Sequence, residues 1–302
     1  TLYTLLAPGL VKAHRSQLSV EFSPMFDRSE HPSPEVQRSI DSRWEELCAK
    51  HPNMYNGSKF RFHSMECEGN RVTLRLGLTD YKTFQGTNMH DYARLLADAG
   101  GDTKYLSSAL GNVAVVETTD AHIIVLRRSE HVGEAPGMFC LPGGHPEPAS
   151  ARADTPGHLS QDKITAIEDE IFASVKREVC EETGLEEHEL KLPVFLGVSR
   201  RTVNCRVVSC FRIKCRLSSS DVMAKYVDGV VQDRFESAGL TCVPRDNVVS
   251  GNLPGKVPGC HLGAIELYRE LCLQERQSVL PPPPPKFAPP ATTTCSFFSM
   301  CF

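Results

Sequence analysis

Apolar residues alternate, run together or recur every three to four positions in different stretches of this chain, and each rhythm predicts an element. Val36, Ile40, Trp44, Leu47 and Cys48 repeat at helical spacing behind Ser33-Pro34, a capping residue followed by proline at the first helical position. Two strand-like runs follow at 59–67 and 71–78, the second with Val72, Leu74 and Leu76 alternating. Asn88 stands where it would cap a short helix reaching Ala99, which Gly100-Gly101 ends. Beyond Gly111 come two apolar strands, 112–117 and 122–127, joined as a hairpin through Thr118-Thr119-Asp120-Ala121. Pro142 to Pro148 reads as a sharp loop and residues 150–161, small and polar, as an inserted surface loop.

A long helix is predicted over 162–183, with Ile164, Ile167, Ile171, Val175 and Val179 on one face and Gly184 as its stop. Strands at 193–201 and 205–217 and an amphipathic helix over 262–276 complete the pattern. The chain thus reads as an α/β extension at 1–108, a larger α/β domain at 109–278 with its insertion near 149–162, and a tail at 279–302. The tail contains five consecutive prolines and then Ala, Thr and Ser, so it cannot bury a core and is expected to be disordered. Such a segment suits a partner of the SH3 or WW type.

Charge changes the picture little. Lys plus Arg number 33 against 37 for Asp plus Glu, a net charge of -4, which offers no electrostatic reason for a nucleic-acid or anionic-membrane partner. No apolar run of membrane-spanning length occurs. Twelve cysteines show no C-x-x-C pair and sit largely inside apolar runs, so free thiols in a reducing, cytoplasmic setting are expected.

The chemistry gathers in Arg177-Glu178-Val179-Cys180-Glu181-Glu182-Thr183-Gly184-Leu185. On a helix Glu178, Glu181 and Glu182 share one face. Like charges so placed cost helix stability unless a cation offsets them, and hard oxygen ligands of this kind suit Mg²⁺ or Mn²⁺. Arg177 is placed to pair with a carboxylate and hold its rotamer. A solvated acidic helix face is the plain alternative for such a run.

The stretch resembles the second half of the Nudix box, G-x5-E-x7-R-E-U-x-E-E-x-G-U with U apolar, matching every defined position from Arg177 onward. Gly143-Gly144 is similar to the glycine pair that opens the box, but Gly144 lies nineteen residues before Lys163, where the spacing requires the box glycine. An insertion in the loop accounts for the gap, and it leaves the first box glutamate to Asp169 or Glu170. The resemblance implies a Nudix α/β/α sandwich with a mixed sheet, metal ligation by Glu178 and Glu182, and Glu181 as a third ligand or the general base.

Further landmarks resemble the uridine diphosphate-glucose pyrophosphatase branch of that family: Leu76 to Tyr81, Phe84 to Asn88, Leu126 to Ser129, Glu134 to Gly137, Pro142 to Pro148 and Leu196 to Arg200. That likeness implies a small nucleotide sugar as substrate, split at its diphosphate into UMP and a hexose 1-phosphate. Arg127 and Arg128 end a strand, where Arg128 is placed to clamp a diphosphate. His145 and Glu147 lie in the glycine loop, His145 as a candidate to bond a phosphate or sugar hydroxyl and Glu147 to accept from one or join the metal shell, with ordinary loop polars as the alternative. Tyr55 and Tyr81 are candidates to stack on a uracil ring, with ordinary packing as the alternative for each.

Overall fold

The computed structural model of the protein describes residues 1–69, 71–130, 135–154, 160–228 and 237–279. The proline-rich tail and the partner role expected of it lie outside the described residues. The first half of the chain holds β1 (Tyr3–Leu5), β2 (Leu18–Phe22), α1 (Pro34–Lys50), β3 (Ser58–Glu68), β4 (Arg71–Asp80), α2 (Tyr81–Gly86) and α3 (Tyr92–Asp98). The second holds β5 (Leu110–Glu117), β6 (His122–Arg128), β7 (Phe139–Cys140), α4 (Gln161–Thr183), β8 (Val194–Arg201), β9 (Val207–Lys214), α5 (Ser219–Asp228), β10 (Ser237–Pro244), α6 (Arg245–Val249) and α7 (Gly259–Val279).

A mixed sheet in the order β1-β8-β9-β5-β6-β10, with β7 added beside β6, forms the centre. Its β5–β9 pair is parallel and its other ladders are antiparallel. One face takes α4 through Ile167, Ile171, Val175 and Val179, all essentially inaccessible to water. The other takes α7 through Ala264, Leu267, Tyr268 and Leu271. Burying each large apolar side chain contributes roughly 1.5–3 kcal/mol, which is why the helices lie where their stripes point. A second sheet, β2-β4-β3, covers α4 from outside, and its Phe60, Phe62, Leu74 and Leu76 share one core with Ile167 and Ile171.

Helix α4 begins and ends where its sequence signals stand. The Ser160 side chain accepts from the Lys163 amide (3.3 Å), and Gly184 adopts the left-handed conformation (φ 74°) that a side chain disfavours.

Two expectations need correction. The insertion is not wholly a surface loop, because Ala151 and Ala153 are buried in the core beside α4. Small side chains let that segment pass close to the helix, while residues 155–159 lie outside the described region. Asn88 caps no helix: α3 starts after Asp91, and Asn88 is fully buried, donating to the Asn204 carbonyl (2.9 Å) and accepting from the Ser108 amide (3.0 Å). It ties the first half of the chain to the β8–β9 turn. The first strand, β1, joins the large sheet beside β8.

The ten cysteines among the described residues are free, and no described helix is long and apolar enough to cross a membrane.

Candidate active site

The site is assembled where β5, the glycine loop and the last turns of α4 meet. Asn112, a polar residue in an otherwise apolar strand, is buried and works in three directions. Its backbone N–H donates to the Gly144 carbonyl (2.9 Å). Its side-chain oxygen accepts from the Gly144 amide (2.9 Å), and its side-chain nitrogen donates to Ser174 Oγ on α4 (2.9 Å). The loop is thereby fastened to both strand and helix. A Cβ at Gly143 would lie 2.3 Å from the Asn112 carbonyl oxygen, so the close approach requires glycine there.

Glu178 and Glu182 face this loop. The Gly143 amide donates to Glu182 (2.8 Å) and the His145 amide to Glu178 (3.2 Å). Glu182 is buried. Glu181 is half-buried and forms no hydrogen bond or ion pair among the described residues.

Arg177 forms an ion pair with Glu170 (2.9 Å), a buried carboxylate that also accepts the Glu147 amide (2.9 Å). Asp169 instead points outward to Arg15 (2.7 Å). Of the two carboxylates that spacing left open, Glu170 therefore occupies the inner position. The arginine fixes Glu170, and Glu170 fixes the far end of the loop. This charge-assisted pairing raises the arginine's pKa.

A narrow cavity opens beside Glu182. Gly143, Asn112, Arg128, Arg206, Cys140 and His261 are among its lining residues. Arg127, one position before Arg128, turns the other way to Glu130 (3.8 Å) on the surface, as alternation along a strand requires. His145 is half-buried in the loop, and desolvation together with the nearby Lys59 ammonium lowers its pKa to about 3, so the ring is neutral. Glu147 is exposed.

The structure thus brings Glu178, Glu182, Arg177, Arg128, His145 and Glu147 to one loop–helix junction. It does not bring the two tyrosines to the cavity. Tyr55 is 75% exposed. Tyr81 packs edge-on to Trp44 (6.1 Å), lies over Phe84 (6.5 Å) and accepts from Gln85 (2.7 Å).

Four residues escaped the sequence reading. Asn112 carried a signal, a lone amide within Leu110–Glu117. Lys59, Arg206 and His261 carried none, because their significance lies in which strand or helix turn lands beside the glutamates. Lys59 comes from the smaller sheet. Burial lowers its pKa against the opposing influence of Glu147 and Glu178.

Among the described residues no three His, Cys, Asp or Glu side chains stand close enough to hold a metal ion unaided. Magnesium usually needs only one or two protein carboxylates, completing its octahedron with water and substrate phosphates. Glu178 and Glu182, oxygen donors on one helix face against the same loop, fit that requirement.

The chain is 39% identical over 279 residues to Nudix hydrolase 9 of Arabidopsis thaliana, covering 86% of this chain and 87% of that one. It is 34% identical over 280 residues to the uridine diphosphate glucose pyrophosphatase NUDT22 of Homo sapiens, covering 88% and 87%. No family model matches. Among solved structures, the MutT protein of Methanosarcina mazei Go1 aligns over 54% of this chain and 94% of its own, at 19% identity and a TM-score of 0.31. The chain belongs to the Nudix hydrolase family. Its fold is the α/β Nudix fold, and it is a Nudix-type diphosphatase.

Proposed function

We propose that the protein hydrolyses the diphosphate bond of UDP-sugars, UDP-glucose and UDP-galactose among them, to UMP and a hexose 1-phosphate, with Mg²⁺ or Mn²⁺ as cofactor. The observation that carries the reading is the junction of opposite charges at Glu182: an acidic helix face on one side and Arg128 with Arg206 in the adjoining cavity. The relatives named for uridine diphosphate glucose supply the choice of nucleotide. Glu178 and Glu182 would hold the ion, which supplies Lewis-acid polarisation of the phosphoryl oxygens. Arg128 and Arg206 would neutralise and orient the diphosphate through paired N–H donors. Glu181, which has no partner among the described residues, would serve as a third ligand or take a proton from the attacking water. One water is consumed, one phosphorus–oxygen anhydride bond breaks, and two phosphate monoesters leave.

The test is turnover of UDP-glucose with and without Mg²⁺, following UMP by chromatography, with ADP-ribose as competitor substrate and Glu182→Gln as control. Glutamine keeps an oxygen for the Gly143 amide but removes the charge. Magnesium-dependent UMP release, reduced roughly a hundredfold or more in the variant, is the expected result. Cleavage of ADP-ribose with none of UDP-glucose would keep the diphosphatase and sink the substrate.

A further inference from the structure

Part of the cavity wall beside Glu182 comes from the first turn of α7, where Cys260 and His261, with Pro258 just before the helix, line the cavity together with Arg128 and Arg206. The Leu141 amide donates to Nδ1 of His261 (3.2 Å). A ring nitrogen that accepts a hydrogen bond carries no proton, so the neutral imidazole must hold its proton on Nε2. Burial, together with the positive charges of Arg206, Arg128 and Arg201, keeps the ring neutral by lowering its pKa to about 3. No described residue bonds to Nε2. A neutral N–H in this position adds a donor for an anionic oxygen without adding a third cation to repel the two arginines.

We propose that His261 is a substrate-binding residue whose Nε2–H donates to a phosphoryl oxygen of the diphosphate held by Arg128 and Arg206. The inference rests on the reading that this cavity takes a diphosphate.

Two substitutions separate its two nitrogens. His261→Asn places an oxygen near Nδ1, keeping the Leu141 anchor and losing the distal donor, whereas His261→Gln keeps an N–H near Nε2. Two readouts are compared: kcat/KM for UDP-glucose and binding of inorganic pyrophosphate with Mg²⁺ by calorimetry, which needs no turnover. The asparagine variant should weaken both by about tenfold or more, as expected for loss of a hydrogen bond to a charged group, while the glutamine variant stays within about fivefold. Equal impairment of both variants would make the role one of packing and overturn the proposal. So would an asparagine variant within about threefold of wild type. In the wild-type protein, which no folding defect can confuse, the Nε2 nitrogen resonance should shift on adding pyrophosphate; an unmoved resonance sinks the proposal as well. Wild type that binds pyrophosphate but cleaves no UDP-sugar would refute the substrate reading and leave His261 to be judged by binding.

Discussion

Asp169 and Glu170 are neighbours in sequence with opposite fates. Box spacing points to residue 169, yet it is Glu170 that turns inward to Arg177 and the Glu147 amide, while Asp169 pairs with Arg15 outside. The side chain of Glu170 is 6% exposed and that of Arg177 37%. Removing the arginine therefore strands a buried carboxylate that then has only backbone help. Loss of one partner from a fully buried pair costs about 3–5 kcal/mol; partial exposure of the arginine reduces this, and Arg177→Ala should destabilise the protein by about 2 kcal/mol. Urea denaturation at pH 7 measures it. A change below about 0.5 kcal/mol would show that the pair is only a surface contact. Double substitution with Glu170→Gln should recover part of the loss, since no unpaired charge then remains.

At the scale of elements, helices and strands with a regular apolar rhythm were legible and the pieces defined by contact were not. Helix α4 could be placed to within a residue because its apolar stripe and glycine stop are local signals. Strands β1 and β7 are too short to show any period, and β10 follows a stretch without one. Apolar spacing puts the start of α7 at Leu262, but the helix starts at Gly259, and those extra residues carry His261 into the cavity. Its ring and that of His145 have pKa values lowered to about 3, against 6.5 when unfolded. Between those limits the unfolded chain binds protons that the folded chain refuses, so their contribution to stability is complete above pH 6.5 and lost as pH falls. Each contributes at most about 1.4 kcal/mol per pH unit in that window. Stability should fall between pH 6.5 and 5.5, and His261→Asn should lessen that fall by up to about 1.4 kcal/mol. Parallel curves for variant and wild type would mean that this histidine titrates normally in the fold.

Over the whole molecule, the division at residue 108 seen in the pattern does not correspond to a division of the core. Phe60, Phe62, Leu74 and Leu76 from the smaller sheet pack in one cluster with Leu110, Ala114 and the inner face of α4. Arg15 reaches α4 at Glu168 (3.0 Å) and Asp169, and the Val20 amide donates to Glu168 (3.0 Å). Asn88 bonds across to Asn204 (2.9 Å). Arg61, buried without a carboxylate in contact, donates to the carbonyls of Phe26, Thr103 and Leu106 (2.8–3.3 Å), and its strand bridges Ala109 at the entrance to β5. Helix α4, with Glu178, Glu181 and Glu182 at one end, thus has an apolar side facing each sheet. Taking away the smaller sheet would expose one of them, and the free energy lost would fall on the element that carries the site. Cooperative unfolding follows from that sharing: calorimetry of the full chain should give one endotherm whose calorimetric and van't Hoff enthalpies agree, and the truncated chain from residue 109 should give none. Two resolved endotherms, or a truncated chain that melts as a native protein, would mean that the sheets fold independently and that Lys59 reaches the glutamates from a separate body.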